Sequence, residues 1–204
     1  MGTVDAEITD KRLLRGSRTR RTVLRRAVDI ASLDSLEGLS FGRLAADTGL
    51  SKAGIQTLFR SKEALQLATI EYFREVFIDA VVRPANPKPP GAQRLRALVD
   101  NWLAYVSDPL LEGGCFQSAN LADFDSRPGP VRDALIVNQA RWTGRLADEL
   151  AYARAHGEIA DLDPELAAFQ IDAVLKATNT ALRLGDSSAV AKARRIVESL
   201  LVSA

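Results

Sequence analysis

Residues 40–65 read SFGRLAADTGLSKAGIQTLFRSKEAL, and this stretch decides the fold. Ser40, Ser51 and Ser61 each stand before a run with helical spacing. Serine is a strong helix N-cap because its hydroxyl accepts a hydrogen bond from an amide that the first turn leaves unpaired. Phe41, Leu44 and Ala45 give a helix over 41–48 its apolar side. Gly49 suits the left-handed residue that ends such a helix. A second short helix, 52–59, buries Ile55, Leu58 and Phe59 and turns Lys52, Gln56, Thr57 and Arg60 outward. Two short helices joined by the tight turn at 48–51 form a helix-turn-helix, whose first helix braces while the second enters a major groove about 12 Å wide.

The charge around this segment agrees. The whole chain has 204 residues and a net charge of +1. Residues 1–62 hold 12 Lys/Arg against 7 Asp/Glu, and residues 63–204 hold 15 against 19. Between Lys11 and Arg26 there are eight cations and no acid, Arg18, Arg20 and Arg21 among them. Such asymmetry points to a polyanion at the N-terminal end, and a plain solvated basic arm is the other reading.

Outward from the motif, helical spacing dominates and strand alternation is scarce. A helix over 22–35 precedes it, with Val23, Leu24, Ala27, Val28, Ile30 and Ala31 on its apolar side. A long helix follows from Ser61 to about Val82. Pro84, Pro87, Pro89 and Pro90 predict an extended loop. Further helices are expected over 92–107 (stopped by Pro109), 115–124, 130–155, 163–184 and 188–202, with Gly113-Gly114 as a flexible turn and Ser187 or Ser188 as the last cap. The fold class is all-α, about nine helices. Its divisions are a basic flexible arm over 1–21, a helix-turn-helix domain over 22–65, and a larger helical domain over 66–204.

Several functions are excluded or left without support. Cys115 and His156 are the sole cysteine and histidine, so neither a disulfide nor a Cys/His metal cluster is possible; no metal site and no cofactor are expected. There is no phosphate loop and no nucleophile–base pair, so no catalytic residues are assigned and a small helical enzyme is the weakest reading. No run approaches the roughly 18 apolar residues that a membrane span needs. The N-terminus has no apolar signal core, and Ala6 stands where myristoylation wants Ser or Thr. A cytoplasmic location with no membrane partner is expected.

The words Leu44-Ala45-Ala46-Asp47-Thr48-Gly49-Leu50-Ser51-Lys52 and Phe59-Arg60-Ser61-Lys62-Glu63-Ala64-Leu65, behind a basic arm in a chain of this length, resemble the DNA-binding domain of the tetracycline-repressor (TetR) family of bacterial transcriptional regulators. The resemblance spans Thr22 to Leu65. The chain departs from the family's habit at Ala31 and Ser35, usually an aromatic and Gly. It departs again at Gln56 and Thr57, usually Tyr followed by His or another aromatic, so base preference does not carry over.

The resemblance implies roles. Lys62 matches the family's phosphate-contacting lysine, aided by the positive end of its helix. Ser40, Arg43, Ser51, Lys52 and Arg60 are expected at the DNA backbone. Gln56 and Thr57 are expected at base edges, Gln because it pairs bidentately with adenine. Arg18, Arg20 and Arg21 are expected in the minor groove or on flanking phosphates. The expected partners are an inverted-repeat operator, a second copy of the chain and a mostly apolar small molecule that releases DNA by shifting a population, with the fourth helix as lever. Ligand-independent architectural binding is the alternative.

In the family the C-terminal part carries a ligand pocket and a dimer interface. Pocket candidates are Trp102, Tyr105, Cys115, Phe116, Asn120, Phe124, Trp142 and Phe169, with Gln117 and Asn138 as further polar contacts. For any one of the aromatics a core role is the competing reading, and Cys115 reads equally as a small buried thiol. The last two helices, apolar on more than one side, are expected to form a four-helix interface through Phe169, Val174, Ala177, Ala181, Val190, Ala193, Ile196, Val197 and Leu200.

Overall fold

The computed structural model describes residues 2–108 and 110–202, with side chains from Gly16 onward. Among the described residues there are nine α-helices and no strand: α1 (Gly2–Asp34), α2 (Phe41–Thr48), α3 (Lys52–Phe59), α4 (Lys62–Phe77), α5 (Ala92–Ser107), α6 (Phe116–Phe124), α7 (Pro130–Ala155), α8 (Pro164–Arg183) and α9 (Ala189–Leu200).

The caps follow the serine pattern. Ser40, Ser51 and Ser61 accept from the amides of Arg43, Gly54 and Ala64, and Gly49 ends α2 at φ 70°. Asp163 does the same for α8 by accepting from Glu165 and Leu166. At α9 neither expected serine caps through its side chain. The Asp186 carboxylate receives the Ser188 amide and Lys192 Nζ instead, which holds that carboxyl down to about 2.

Three expectations are corrected. Thr22 does not begin the first helix: α1 is continuous from Gly2, because nothing between there and Thr22 breaks a helix, and a run of charge is not a break. The side chains of Lys11, Arg12 and Arg15, and Pro109 as a helix stop, lie outside the described residues. The proline run is not all extended. After α4 the chain widens through a π turn, Ile78–Val82, and then tightens into a 3₁₀ turn, Arg83–Ala85, where Pro84 sits in a first turn that tolerates it. Finally, Gly113 is a close approach rather than a flexible link. Its amide donates to Ser32 Oγ at 2.9 Å, and an added Cβ would lie 2.0 Å from the Ser32 carbonyl oxygen.

One core runs through both parts of the chain. Val23, Ala27, Ile30 and Ala31 of α1 pack with Leu36, Leu44, Ile55 and Leu65 at one end, and with Phe73 and Phe116 further along. Burying such side chains contributes about 1.5–3 kcal/mol each. α1 packs on both α4 and α6, so head and body share their longest elements.

Candidate DNA-binding face, cavity and dimer face

The α3 helix shows solvent the polar face that its spacing requires. Lys52, Gln56, Thr57 and Arg60 are all exposed, as are Ala53 and Gly54 between them. Thr57 Oγ1 bonds back to the Ala53 carbonyl at 2.9 Å. Lys52, Gln56 and Arg60 make no side-chain hydrogen bond or ion pair among the described residues. Arg60 takes φ 62° to close α3, an uncommon conformation for a residue with a Cβ.

The other expected DNA contacts already hold partners within the chain. Arg43 pairs with Asp34 at 2.6 Å. Lys62 Nζ reaches the Glu37 carbonyl at 2.8 Å and its carboxylate at 3.0 Å. Arg20 donates to the Leu58 carbonyl and lies 4.5 Å over the Phe59 ring, so it clamps α3 to α1. Arg21 lies 5.9 Å over Tyr72. Arg18 remains exposed. Exposed pairs of this kind are weak and exchange readily for phosphate; the half-buried Arg20 clamp is committed to the fold.

A cavity of about 210 Å³ lies among five helices. Phe73, Arg74 and Phe77 of α4 line it, with Ile78 and Val82 turned onto it by the π turn, whose Val81 carbonyl is taken by Asn101 Nδ2 at 3.0 Å. Trp102 lines it from α5; Cys115, Gln117 and Ser118 from the start of α6; Asn138, Gln139, Arg141, Trp142 and Arg145 from α7; Asp172 and Lys176 from α8. Of the expected pocket residues it therefore gathers Trp102, Cys115 and Trp142, with Gln117 and Asn138.

It does not gather the rest. Phe116 stacks on Phe73 with ring centres 4.3 Å apart, inside the core. Tyr105 donates to the Gly114 carbonyl and accepts from the Phe116 amide, and burial pushes its phenol well up. Phe124 is buried in the core beside Arg127. Phe169 is 69% exposed on α8. Burial also pushes the Cys115 thiol up, against the opposing pull of the Ser118 hydroxyl and the Gln117 and Ser118 amides.

Asn120 has a different use. It is fully buried. Its Oδ1 accepts from the Leu36 amide at 2.6 Å, and its Nδ2 donates to the Ala31 and Phe116 carbonyls. Gln66 of α4 donates to the Leu36 carbonyl at 2.9 Å. The single turn after α1 is thus gripped by α4 and by α6, and both helices also line the cavity. Ser35, where the family usually has Gly, takes φ 59° and donates to the Asp123 carboxylate of α6.

The expected dimer stripe divides. Ala193 and Val197 are 1% and 2% exposed, because α9 packs on α8 and also meets α5, where Arg194–Asp100 and Arg96–Glu198 pair at the exposed edge. Val174, Val190, Ala181 and Leu200 are half-buried, whereas Leu166, Phe169, Ala173 and Ala177 form an exposed stripe on α8, beside Ile196 of α9.

The family model for the C-terminal domain of tetracyclin repressor-like proteins matches residues 91–197, just over half of the chain. The chain belongs to the TetR family. Solved structures agree on the fold. A TetR regulator from Chloroflexus aurantiacus is 24% identical, over 91% of this chain and 94% of that one, with a TM-score of 0.83. AibR in complex with isovaleryl coenzyme A and operator DNA is 20% identical over 91% and 99%, with a TM-score of 0.75. A TetR regulator from Agrobacterium tumefaciens is 16% identical over 91% and 99%, with a TM-score of 0.80. No curated protein matches. No helix among the described residues is long and apolar enough to cross a membrane, and no group of three or more metal-ligating side chains occurs there.

Proposed function

We propose that this TetR-family chain is a dimeric transcriptional repressor that leaves an inverted-repeat operator when a small molecule fills the cavity. The observation that carries this reading is the grip on Leu36. Gln66 of α4 and Asn120 of α6 hold the carbonyl and the amide of one residue of the turn that leads into the helix-turn-helix, and both helices line the cavity. A ligand that prefers a different spacing of α4 and α6 moves the seat of the head. It does so only by its differential affinity for the two arrangements. The lever is thus shared between α4 and α6.

On DNA, Gln56 reads a base edge and Lys52, Arg60, Arg18 and Arg43 meet phosphates, while Lys62 exchanges Glu37 for phosphate. Two copies meet through the α8 stripe of Leu166, Phe169, Ala173 and Ala177, where the alanines permit close approach. This places two recognition helices on one face of the duplex, about 34 Å apart. Among the relatives, AibR is described with operator DNA and an acyl-coenzyme A, which supports a DNA-binding, ligand-responsive reading for this fold.

The test is a salt series of binding by fluorescence anisotropy, on an operator selected from a random pool and on scrambled DNA. A steep salt slope with roughly thousand-fold preference for the selected sequence supports the reading. A steep slope without preference returns the architectural alternative. Lys62→Ala should lower the slope by about one on all sequences. Phe169→Asp should leave a monomer by light scattering, and a persistent dimer would move the interface off α8.

A further inference from the structure

Among the described residues, every buried side-chain polar atom without a hydrogen-bond partner belongs to a residue that lines one cavity. These atoms are Gln117 Oε1, Ser118 Oγ, Asn138 Nδ2, Trp142 Nε1 and Arg145 Nε. Arg145 Nε faces the Glu149 carboxylate at 3.6 Å and the Ser118 hydroxyl acts on the Cys115 thiol. Buried polar groups are as a rule paired, so the other three, Gln117 Oε1, Asn138 Nδ2 and Trp142 Nε1, mark groups open to an occupant. Trp142 is 92% buried by its 8% exposure, so its indole N–H has no bulk water to turn to.

The occupant's chemistry follows from what is unpaired. Trp142 Nε1 and Asn138 Nδ2 are donors, and Gln117 Oε1 is an acceptor. Asn138, Arg141, Trp142 and Arg145 fall on one stripe of α7, at the helical spacing i, i+3, i+4, i+7. The wall carries four cations, Arg74, Arg141, Arg145 and Lys176, and one acid, Asp172. Arg74 is satisfied by Glu71 behind it, and Lys176 by Asp172 at 2.7 Å. Arg145 shares Glu149 with Arg94. Arg141, on the exposed side of the wall, makes no hydrogen bond or ion pair among the described residues. The surplus is therefore of donors, beside an Arg141 whose charge acts at longer range on Glu71. Gln139 donates to Asp172 at 2.8 Å, and the rest of the wall is Phe73, Phe77, Ile78, Val82, Trp102, Cys115 and the face of Trp142, all apolar. At about 210 Å³ the space is smaller than a drug-sized site, about 300–1,000 Å³.

We propose that the cavity binds a small apolar carboxylic acid as its anion, the carboxylate accepting from Trp142 Nε1 and Asn138 Nδ2 beside Arg141 and the body lying between the α4 phenylalanines and Trp102. Gln117 Oε1 is the acceptor left for a ligand hydroxyl or a retained water. This rests on the proposed regulator only in taking the occupant as the effector; binding itself is independent of DNA.

The experiment uses the full chain and two matched series: octanoate, octanamide and 1-octanol, then 3-phenylpropionate with its primary amide and its alcohol. Both tryptophans of the chain line the cavity, so their fluorescence reports its filling, and calorimetry gives the affinities. The acid should bind at least tenfold more tightly than the amide or alcohol in at least one series, as expected for charge-assisted bonds in a dry site. Arg141→Ala, at an exposed position that does not rely on core packing, and Trp142→Phe should each bring the acid to about the level of its amide and leave the alcohol within twofold. An amide or alcohol that binds as tightly as its acid overturns the proposal, as does the absence of binding by every member at low millimolar concentration. If the acid binds with the expected preference but leaves operator affinity unchanged, the carboxylate site stands and the release mechanism falls. If a neutral member releases the operator, the release mechanism stands and the carboxylate site falls.

Discussion

Two regions of this molecule carry polar groups without partners, and they do so in opposite surroundings. On α3, Lys52, Gln56 and Arg60 face water, which satisfies them at no cost. Around the cavity, Asn138 Nδ2 and Trp142 Nε1 are buried, and each unmade bond costs about 1–3 kcal/mol. The exposed set can wait for DNA indefinitely. The buried set costs stability wherever it stays unpaired, and the proposed carboxylate is what would relieve it. Such a cost persists only where the surrounding structure over-determines it, and here five helices do. Between the two regions lies the Leu36 turn, held by Gln66 of α4 and Asn120 of α6.

The largest effect should come from breaking the joint that holds the two regions together. Gly113→Ala places a Cβ 2.0 Å from the Ser32 backbone oxygen, and backbone cannot step aside as a side chain does. It should cost about 3 kcal/mol, read as a lower denaturant midpoint at unchanged slope. Gly144→Ala within α7 meets nothing within 4 Å and should instead stabilise by about 0.5–1 kcal/mol. Equal effects at the two glycines would show that Gly113 is not a tight joint.

Asn120→Ala comes next. It removes the acceptor from the buried Leu36 amide and the donor from the Ala31 carbonyl, at about 2–3 kcal/mol. The variant should still bind operator while its ligand response shrinks. A full response would relieve α6 of any part in the lever and leave it to α4 and Gln66.

The head was legible from sequence and the cavity was not, for a physical reason. Serine caps, a left-handed glycine and an apolar spacing of three and four act within one or two turns of chain, so residues 40–65 carry their own instructions. The cavity wall comes from residues 73 to 176 on five helices and a turn, and no local rule says which aromatic faces inward. Trp102 and Trp142 line it while Phe116 and Phe124, equally bulky, fill core. The α9 stripe was visible in the same partial way. Its apolar side could be read, but not that α9 packs on α8 of the same chain and so buries Ala193 and Val197 in the chain's own domain. The α7 stripe of Asn138, Arg141, Trp142 and Arg145 was the readable signal that went unused.

Ser35→Gly should have a smaller effect, with its two consequences opposed. The residue holds φ 59°, a conformation that costs a residue with a Cβ about 1–3 kcal/mol and costs Gly little. The substitution also removes the bond to Asp123 and the weaker, exposed cap that accepts from the Glu37 amide at 3.2 Å. Stability should rise by about 1 kcal/mol while ligand-induced release weakens, because α6 loses one of its holds on the end of α1. A fall in stability would mean that the Asp123 bond outweighs the strain.

The smallest pair of effects separates the two kinds of unpartnered group. Gln56→Ala removes an exposed, already hydrated amide and should move stability by less than about 0.5 kcal/mol. Trp142→Phe removes a buried donor that has no acceptor, yet also gives up ring area packed edge-on to Phe77 at 5.3 Å. The two terms oppose each other, so the variant's stability should stay within about 1 kcal/mol of the parent chain, where the loss of a well-satisfied buried tryptophan would cost more. The ligand then inverts the ranking. With saturating octanoate or 3-phenylpropionate, whichever binds, the parent chain should gain stability by mass action and Trp142→Phe should gain much less, while Gln56→Ala should gain as much as the parent. Equal gains for all three would show that the indole N–H is not among the groups the ligand satisfies, and the cost of leaving it unpaired would then need another explanation.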